Sequence, residues 1–235
     1  MTKTTSPSLT GNQLKILACI AMFADHVVKG WYVRGLPAVL LSSVLGRIAF
    51  PIYCFFITEG FFHTRNRAKY LLRMVVFAAI SEIPFNLGLH HTLIYKTTLC
   101  TLWSLSLGLL LFNCLAFVEK KRELHIAVSW ILRLLLVVAF AVAAHYLRVD
   151  YRERGLLCMA VLYFLRNERP HSVPVLWACL PLNMHHFSNP GSFLAAMPLH
   201  FYNGERGRLK LKYFFYAFYP LHLIFIYIAG KIILR

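Results

Sequence analysis

Acidic side chains are scarce in this chain. Asp and Glu number 9 against 25 Lys and Arg, and the four types together make up only 14% of its 235 residues. A soluble domain carries about a quarter charged residues, so an ordinary water-facing globular surface is excluded. Cysteines number only six (19, 54, 100, 114, 158, 179), in or beside apolar segments and without CxxC spacing. That excludes a zinc ribbon or a disulfide framework and leaves ordinary buried thiols. No Walker loop, GxGxxG turn, GxSxG elbow or HExxH pair occurs, so the commonest nucleotide, serine-hydrolase and zinc-protease chemistries have no motif here. His90-His91 and His185-His186 lack a third ligand at a metal-site spacing, and no metal is expected. There is also no internal repeat and no low-complexity linker.

Long apolar runs fill the space. Hydrophobic residues make up 59% of the chain, and runs such as 97–118 and 126–147 reach the roughly 20 residues that cross a hydrocarbon core. The apolar segments are 14–31, 38–62, 74–93, 97–118, 126–147, 155–165, 173–187, 192–202 and 213–234. They predict an all-α, polytopic membrane helix bundle of about nine segments, within a range of roughly eight to ten. Residues 1–13 read as a disordered cytoplasmic start and 14–235 as a single transmembrane domain. The first apolar run carries Asp25-His26 where a signal-peptide cleavage site would fall, so it is expected to be retained. Segments 155–165 and 192–202 give only about 16 Å of helix, half the core thickness. Pro181, Pro190 and Gly191 interrupt another. Such pieces are tolerated where they pack in protein or line a cavity.

The net charge of +16 sits in short clusters between apolar runs, a topology signal and not a nucleic-acid surface. Basic connections hold Arg65, Arg67, Lys69 and Arg73, then Lys120, Lys121 and Arg122, then Arg166 and Arg169, then Arg206, Arg208, Lys210 and Lys212. The alternate connections hold Lys29, Arg34, Lys96, Arg148, Arg152 and Arg154. The bias predicts a cytoplasmic N-terminus. It weakens at 148–154, where three Arg lie on the wrong side. Arg65, Arg67, Lys69 and Arg73 serve as a cytoplasmic anchor or, more sharply, as a landing place for phosphates.

Several ionisable residues fall inside the apolar segments, where they must face protein or water. Lys15 and His26 are eleven residues apart, three turns plus roughly 20°, so they share a helix face about 16 Å apart along the axis. Counted from the basic loops, Arg47 lies about 22 Å in, Glu82 about 13 Å, Arg133 about 12 Å and His222 about 15 Å. Convergence of His26, Glu82, Arg133 and His222 near one level, with Arg47 further out, is expected to mark a site. Asp25 points about 100° away from His26 and is expected to act through the next helix.

The order and spacing of six motifs carry a family resemblance. They are Lys15-x10-His26 with Asp25 beside the histidine, Gly46-Arg47-Ile-Ala-Phe-Pro51-Ile-Tyr and Ser81-Glu82-Ile-Pro84-Phe. There follow Tyr151-Arg-Glu-Arg-Gly155, Phe201-Tyr-Asn-Gly-Glu-Arg-Gly207 and Phe215-Tyr-Ala-Phe-Tyr219-Pro-Leu-His222. Taken together they resemble the TraX family, named for the conjugal-transfer pilin acetylase, and through it the wider transmembrane acyltransferase superfamily. The resemblance implies acetyl transfer inside the membrane from acetyl-CoA, as donor, to an amine or hydroxyl of a pilin-like peptide or a glycan, without a metal. It implies His26 as catalytic base, a role for Arg47, and His222 as the late histidine of the motif set. Asp25 and Glu82 join the catalytic candidates. Lys15, Arg65, Arg67, Lys69, Arg73, Arg133, Tyr219 and His222 are the candidates for binding donor or acceptor.

The chemistry agrees with the residues. An amine or hydroxyl must lose a proton as it attacks a thioester, which suits a histidine, and Arg47 suits a developing oxyanion. Cys19 leaves a covalent route open. Two other classes also use buried charges: a proton-coupled transporter, whose paired interrupted helices are not visible in the sequence, and a non-enzymatic subunit of a pilus or conjugation assembly.

Overall fold

A computed structural model describes residues 8–121, 123–184 and 190–233. Residues 1–7 of the expected disordered start, Arg122 and the His185-His186 pair lie outside the described residues. Helix α1 spans Gly11–Gly30, three residues earlier than the apolar run begins. Thr10 caps it in a capping box with Gln13, which satisfies N–H groups that the helix itself cannot. The loop at 203–209 covers the same end: the carbonyls of Glu205 and Arg206 accept from Gly11 and Asn12 at 2.8 and 3.0 Å. Residues 8–13, expected in the disordered start, are therefore tied down.

The second helix, α2, runs Leu36–His63 and is irregular. Pro37 opens it, a π-turn covers Leu40–Leu45 and a 3₁₀ turn covers Gly46–Ile48, after which the α-helix resumes at Ala49. Pro51 has no N–H to donate to the carbonyl of Arg47, four residues back, so winding changes just ahead of it. Helix α3 spans Arg67–His90, starting seven residues before the apolar run. Asn66 caps it through the N–H of Lys69 at 2.8 Å. Arg67, Lys69 and Arg73 thus stand on its first two turns instead of in a loop, and only Arg65 precedes it. Lys and Arg are good helix formers once a cap is supplied.

Helices α4 (Thr101–Lys120) and α5 (Ile126–Tyr146) follow. The shorter α6 (Arg152–Phe164) and α7 (Ser172–Leu182) come next. The expected segment 192–202 resolves into a 3₁₀ stretch, Pro190–Ala195, and the five-residue α8, Ala196–His200. Helix α9 spans Lys212–Ile233 and closes the bundle against α3 and α1. The fold is all-helical.

Among the described residues five helices, α2, α3, α4, α5 and α9, are long and apolar enough to cross a membrane, so the chain is a multi-pass membrane protein. Helix α5 exposes Ile131, Leu134, Leu135 and Val138, an apolar face suited to lipid. Inside, α4 and α6 interlock through Leu105, Leu109, Phe112, Leu156, Met159 and Tyr163 in one core. Helices α1, α3 and α9 meet through small residues: a Cβ on Gly88 would stand 2.8 Å from the carbonyl oxygen of Leu223, and one on Gly30 would stand 2.5 Å from that of Gly88. Without a hydrophobic force between helices in lipid, such close backbone approach supplies much of the packing.

Gly88→Ala should therefore push α3 off α9 at a cost of about 1–3 kcal/mol, lowering the thermal midpoint in detergent. Leu134→Ala on the lipid face should leave that midpoint almost unchanged. Equal midpoints for Gly88→Ala and wild type would contradict the packing.

Candidate functional site

The site begins where the first helix meets the last. Along α1 the buried positions Leu14, Ala18, Ala21, Met22, Asp25 and His26 fall on the face turned inward, while Ile16, Leu17 and Ile20 face out. His26 is buried, and its Nδ1 lies 2.7 Å from Nε2 of buried His222 on α9. The Nδ1 of His222 in turn lies 2.7 Å from the carbonyl oxygen of Phe218 one turn earlier. Phe218 lies flat against the His222 ring at 4.8 Å, and Tyr219 meets the His26 ring edge-on at 6.3 Å. Two residues 196 positions apart are thereby joined, an association no local motif announces.

A second group of polar side chains surrounds the irregular part of α2. Asp25 turns away from His26, as expected, and accepts from Ser42 at 2.5 Å and from Lys29 at 2.5 Å. Gly46 makes this possible: a Cβ there would stand 2.5 Å from the Asp25 Cβ. Arg47 lies within Coulombic reach of Tyr151, Asp25 and Asp150, and its Nε is buried without a hydrogen-bond partner. Tyr151 holds φ +61°, a conformation bulky residues rarely adopt, and its ring stacks on Phe50 at 3.8 Å. Backbone strain of this kind persists only where surrounding contacts enforce it. Asp150 accepts from the Thr101 hydroxyl at 2.5 Å, and the Thr101 N–H donates to the Tyr219 hydroxyl at 3.3 Å. The N-terminus of α4 thus links the Arg47 group to the histidines through Tyr219.

Glu82 stands at the same helix end. One of its oxygens accepts from the Cys100 N–H at 3.1 Å and from the Trp103 indole at 3.0 Å. A carboxylate there satisfies otherwise unpaired N–H groups and complements the helix dipole. Glu82 therefore anchors α4 and makes no hydrogen bond to either histidine.

At the basic end of the bundle a cavity of about 390 Å³ opens between the starts of α1, α3 and α9 and the end of α2. Lys15, Arg73, Arg206 and Lys212 are the cations that line it, with Tyr53, Ile57, Leu102 and Leu105 among the deeper walls. Lys15 stands over the Phe56 ring at 4.6 Å, and the Nε of Arg73 is buried without a partner. The cavity stops short of His26. Between them lie Tyr53 and Cys19, whose Oη and Sγ are 3.0 Å apart, one turn along α1 from Lys15.

The expected convergence is only partly realised. His26, His222 and Tyr219 meet, Asp25 and Arg47 lie on one connected side, and Lys15 and Arg73 line the cavity. Arg133 does not join them: it bonds Ser129 at 2.8 Å and faces Glu119 at 3.8 Å, and Arg166 faces the same carboxylate at 3.7 Å. Equal depth did not mean equal direction, since α5 turns this residue toward α4 and α6. Arg67 covers the Phe61 ring at 4.1 Å, and neither it, Arg65 nor Lys69 lines the cavity. Arg206, Lys212 and Tyr53 line it instead; the first two read as topology charges, and Arg206 and Tyr53 as members of family motifs, but none as a binding residue. Asp150 and Thr101 were missed, although a lone acid between Arg148 and Arg152 was a visible signal. Among the described residues no three His, Cys, Asp or Glu side chains gather as metal ligands.

Comparison of the sequence with known proteins finds relatives. A family model described as TraX protein matches residues 10–229. A protein of Dichelobacter nodosus named "Probable fimbrial assembly protein FimC, serogroup H1" is 31% identical over 228 residues, covering 90% of this chain and 91% of the relative. An uncharacterized protein of Rickettsia prowazekii (strain Madrid E) is 33% identical over 88 residues, covering 37% of this chain and 29% of that one. No solved structure matches.

If Glu82 anchors α4, Glu82→Ala should lower the thermal midpoint more than Glu82→Gln, which keeps an acceptor oxygen. The loss for Ala should be about 1–3 kcal/mol, the cost of leaving buried donors unpaired. A Glu82→Ala protein as stable as wild type would contradict this role.

Proposed function

The chain belongs to the TraX family, and from that premise we propose that it is an integral membrane acetyltransferase. It moves an acetyl group from acetyl-CoA to an amine or hydroxyl acceptor, of which the amino terminus of a pilin-like peptide is the leading case. The observation that carries this reading is the basic cavity whose wall residue Tyr53 touches Cys19, about two turns of α1 before the buried His26. Phosphates of the donor suit Lys15, Arg73, Arg206 and Lys212, since charge-assisted bonds to phosphate are strong. The apolar inner walls suit the uncharged arm that carries the thioester. With this end taken as cytoplasmic, by the bias of basic residues, the donor enters from the cytoplasm of a bacterium through its inner membrane.

In the proposed reaction the acceptor N–H or O–H gives its proton to Nε2 of His26 as its heteroatom attacks the thioester carbonyl. The C–S bond then breaks, and the departing thiolate takes up the proton. The buried guanidinium of Arg47 is the proposed stabiliser of charge developing on the carbonyl oxygen, with Tyr151, Asp25 and Asp150 holding it. Tyr53 and Cys19 stand where the thioester must pass. The Dichelobacter nodosus relative supports a second reading, a membrane subunit of fimbrial assembly without catalysis, because fimbrial assembly is what its name states.

Protein in detergent, given acetyl-CoA labelled in the acetyl group and a pilin N-terminal peptide, should yield labelled peptide, and His26→Ala should abolish the transfer. Transfer at equal rates by both proteins would sink His26 as the base, and assembly unaffected by His26→Ala would favour the second reading. Replacing Lys15, Arg206 and Lys212 together by Gln should raise the Kd for CoA about a hundred-fold, each lost phosphate contact being worth roughly 1 kcal/mol. The same change should flatten its salt dependence. Arg133→Gln should leave CoA binding unchanged.

A further inference from the structure

We propose that His222 is a positioning residue that fixes the tautomer of His26, so that the lone pair on Nε2 of His26 is the one left free for a proton. The inference rests on His26 being the base, and it concerns which of its nitrogens acts and what makes it act.

The argument starts from an atom that cannot donate. The carbonyl oxygen of Phe218 lies 2.7 Å from Nδ1 of His222, so that nitrogen must carry the hydrogen of the bond. A neutral imidazole holds one N–H, and Nε2 of His222 is therefore an acceptor. Its partner at 2.7 Å is Nδ1 of His26, which must donate. The hydrogen on Nδ1 leaves Nε2 of His26 unprotonated. Ring geometry supports the assignment: the planes differ by 9° and the centroids are 5.0 Å apart. That is close to the largest separation two imidazoles joined by so short a bond can have. The rings therefore lie end to end, with the N–H aimed along the partner's lone pair, and not face to face.

An extra proton on His222 would make its Nε2 a donor and reverse the order, but it would set a resting cation at bilayer depth without a counter-ion. Among the described residues, Asp25 is engaged by Lys29 and Ser42 and Glu82 by the start of α4. Neither histidine makes a hydrogen bond to a carboxylate. The order of donors from carbonyl to His222 to His26 is thus fixed by one backbone oxygen. Phe218, parallel to the His222 ring at 4.8 Å, and Phe23, edge-on at 6.3 Å, keep that ring from turning. An activated base held by a second group, itself oriented by a third, is a recurring arrangement in acyl transfer; here a neutral histidine and a carbonyl take the places of the orienting groups.

Nitrogen-15 NMR of histidine-labelled protein in nanodiscs, with His26 assigned by the signal lost in His26→Gln, reads the tautomer without needing an acceptor. The expected spectrum has a protonated Nδ1 and a bare Nε2 on His26; a protonated Nε2 in wild type overturns the proposal. His222→Phe should mix the tautomers and lower kcat about ten-fold or more while leaving the KM for acetyl-CoA within about two-fold. His222→Gln brings an amide oxygen to the place of Nε2, and it should restore the Nδ1 tautomer and most of kcat. Wild-type kcat in His222→Phe would also overturn the proposal. Failure of the base assignment is a separate result, full activity in His26→Ala, and the tautomer measurement stands apart from it.

Discussion

A 2.7 Å hydrogen bond between His26 and His222 joins the first helix to the last, and much of the interior is arranged to permit it. Nothing in a hydrocarbon core replaces a missing partner for an imidazole, so each ring nitrogen turned inward must be answered by protein or by a bound molecule. Phe218 answers one, the two histidines answer each other, and a single nitrogen is left. To bring the rings together, α1, α3 and α9 approach at Gly30 and Gly88, where no side chain would fit. Tyr219 then carries the contact onward to the start of α4, where Thr101, Asp150 and Glu82 gather.

Regularity is given up on the other side of the site. The π and 3₁₀ turns before Pro51 put Arg47 on an irregular stretch of α2, and π-turns inside helices are frequent at functional sites. Opposite it, Tyr151 and Arg152 hold positive φ values of 61° and 46°. A change of winding on one side of the guanidinium and strained backbone on the other mark a place where position matters more than stability. The basic cavity is the complement, lined by four cations and separated from His26 by Tyr53 and Cys19.

Much of the fold could be read from the chain because the bilayer imposes a length and a polarity on each helix. The starts of α1 and α3 could not, because Thr10, Gln13 and Asn66 extend them by capping into polar sequence that hydropathy assigns elsewhere. For the site, position along a helix was legible and direction was not. The spacing of Lys15 and His26 placed one near the mouth of the cavity and the other beyond its inner end, and the turn of Asp25 away from His26 followed from helical geometry. Arg133 had the right depth and the wrong azimuth, pairing with Glu119. Glu82 reached the right region, but as an anchor for α4. Arg206 and Lys212 were hidden among charges that any cytoplasmic loop carries, since the residue types that set topology are those that bind phosphate.

Membership of the TraX family and a likeness, over 90% of this chain, to a protein named as a probable fimbrial assembly protein set the biological frame, and the arrangement of cavity, gap and histidine pair sets the chemical one. The central claim is that the basic cavity and the buried histidine are two ends of one donor path. A structure of the protein with CoA bound tests it most directly. The account predicts the phosphates among Lys15, Arg73, Arg206 and Lys212, with the thiol directed past Tyr53 toward His26. CoA bound at another surface, or with its thiol turned away from α1, would contradict it.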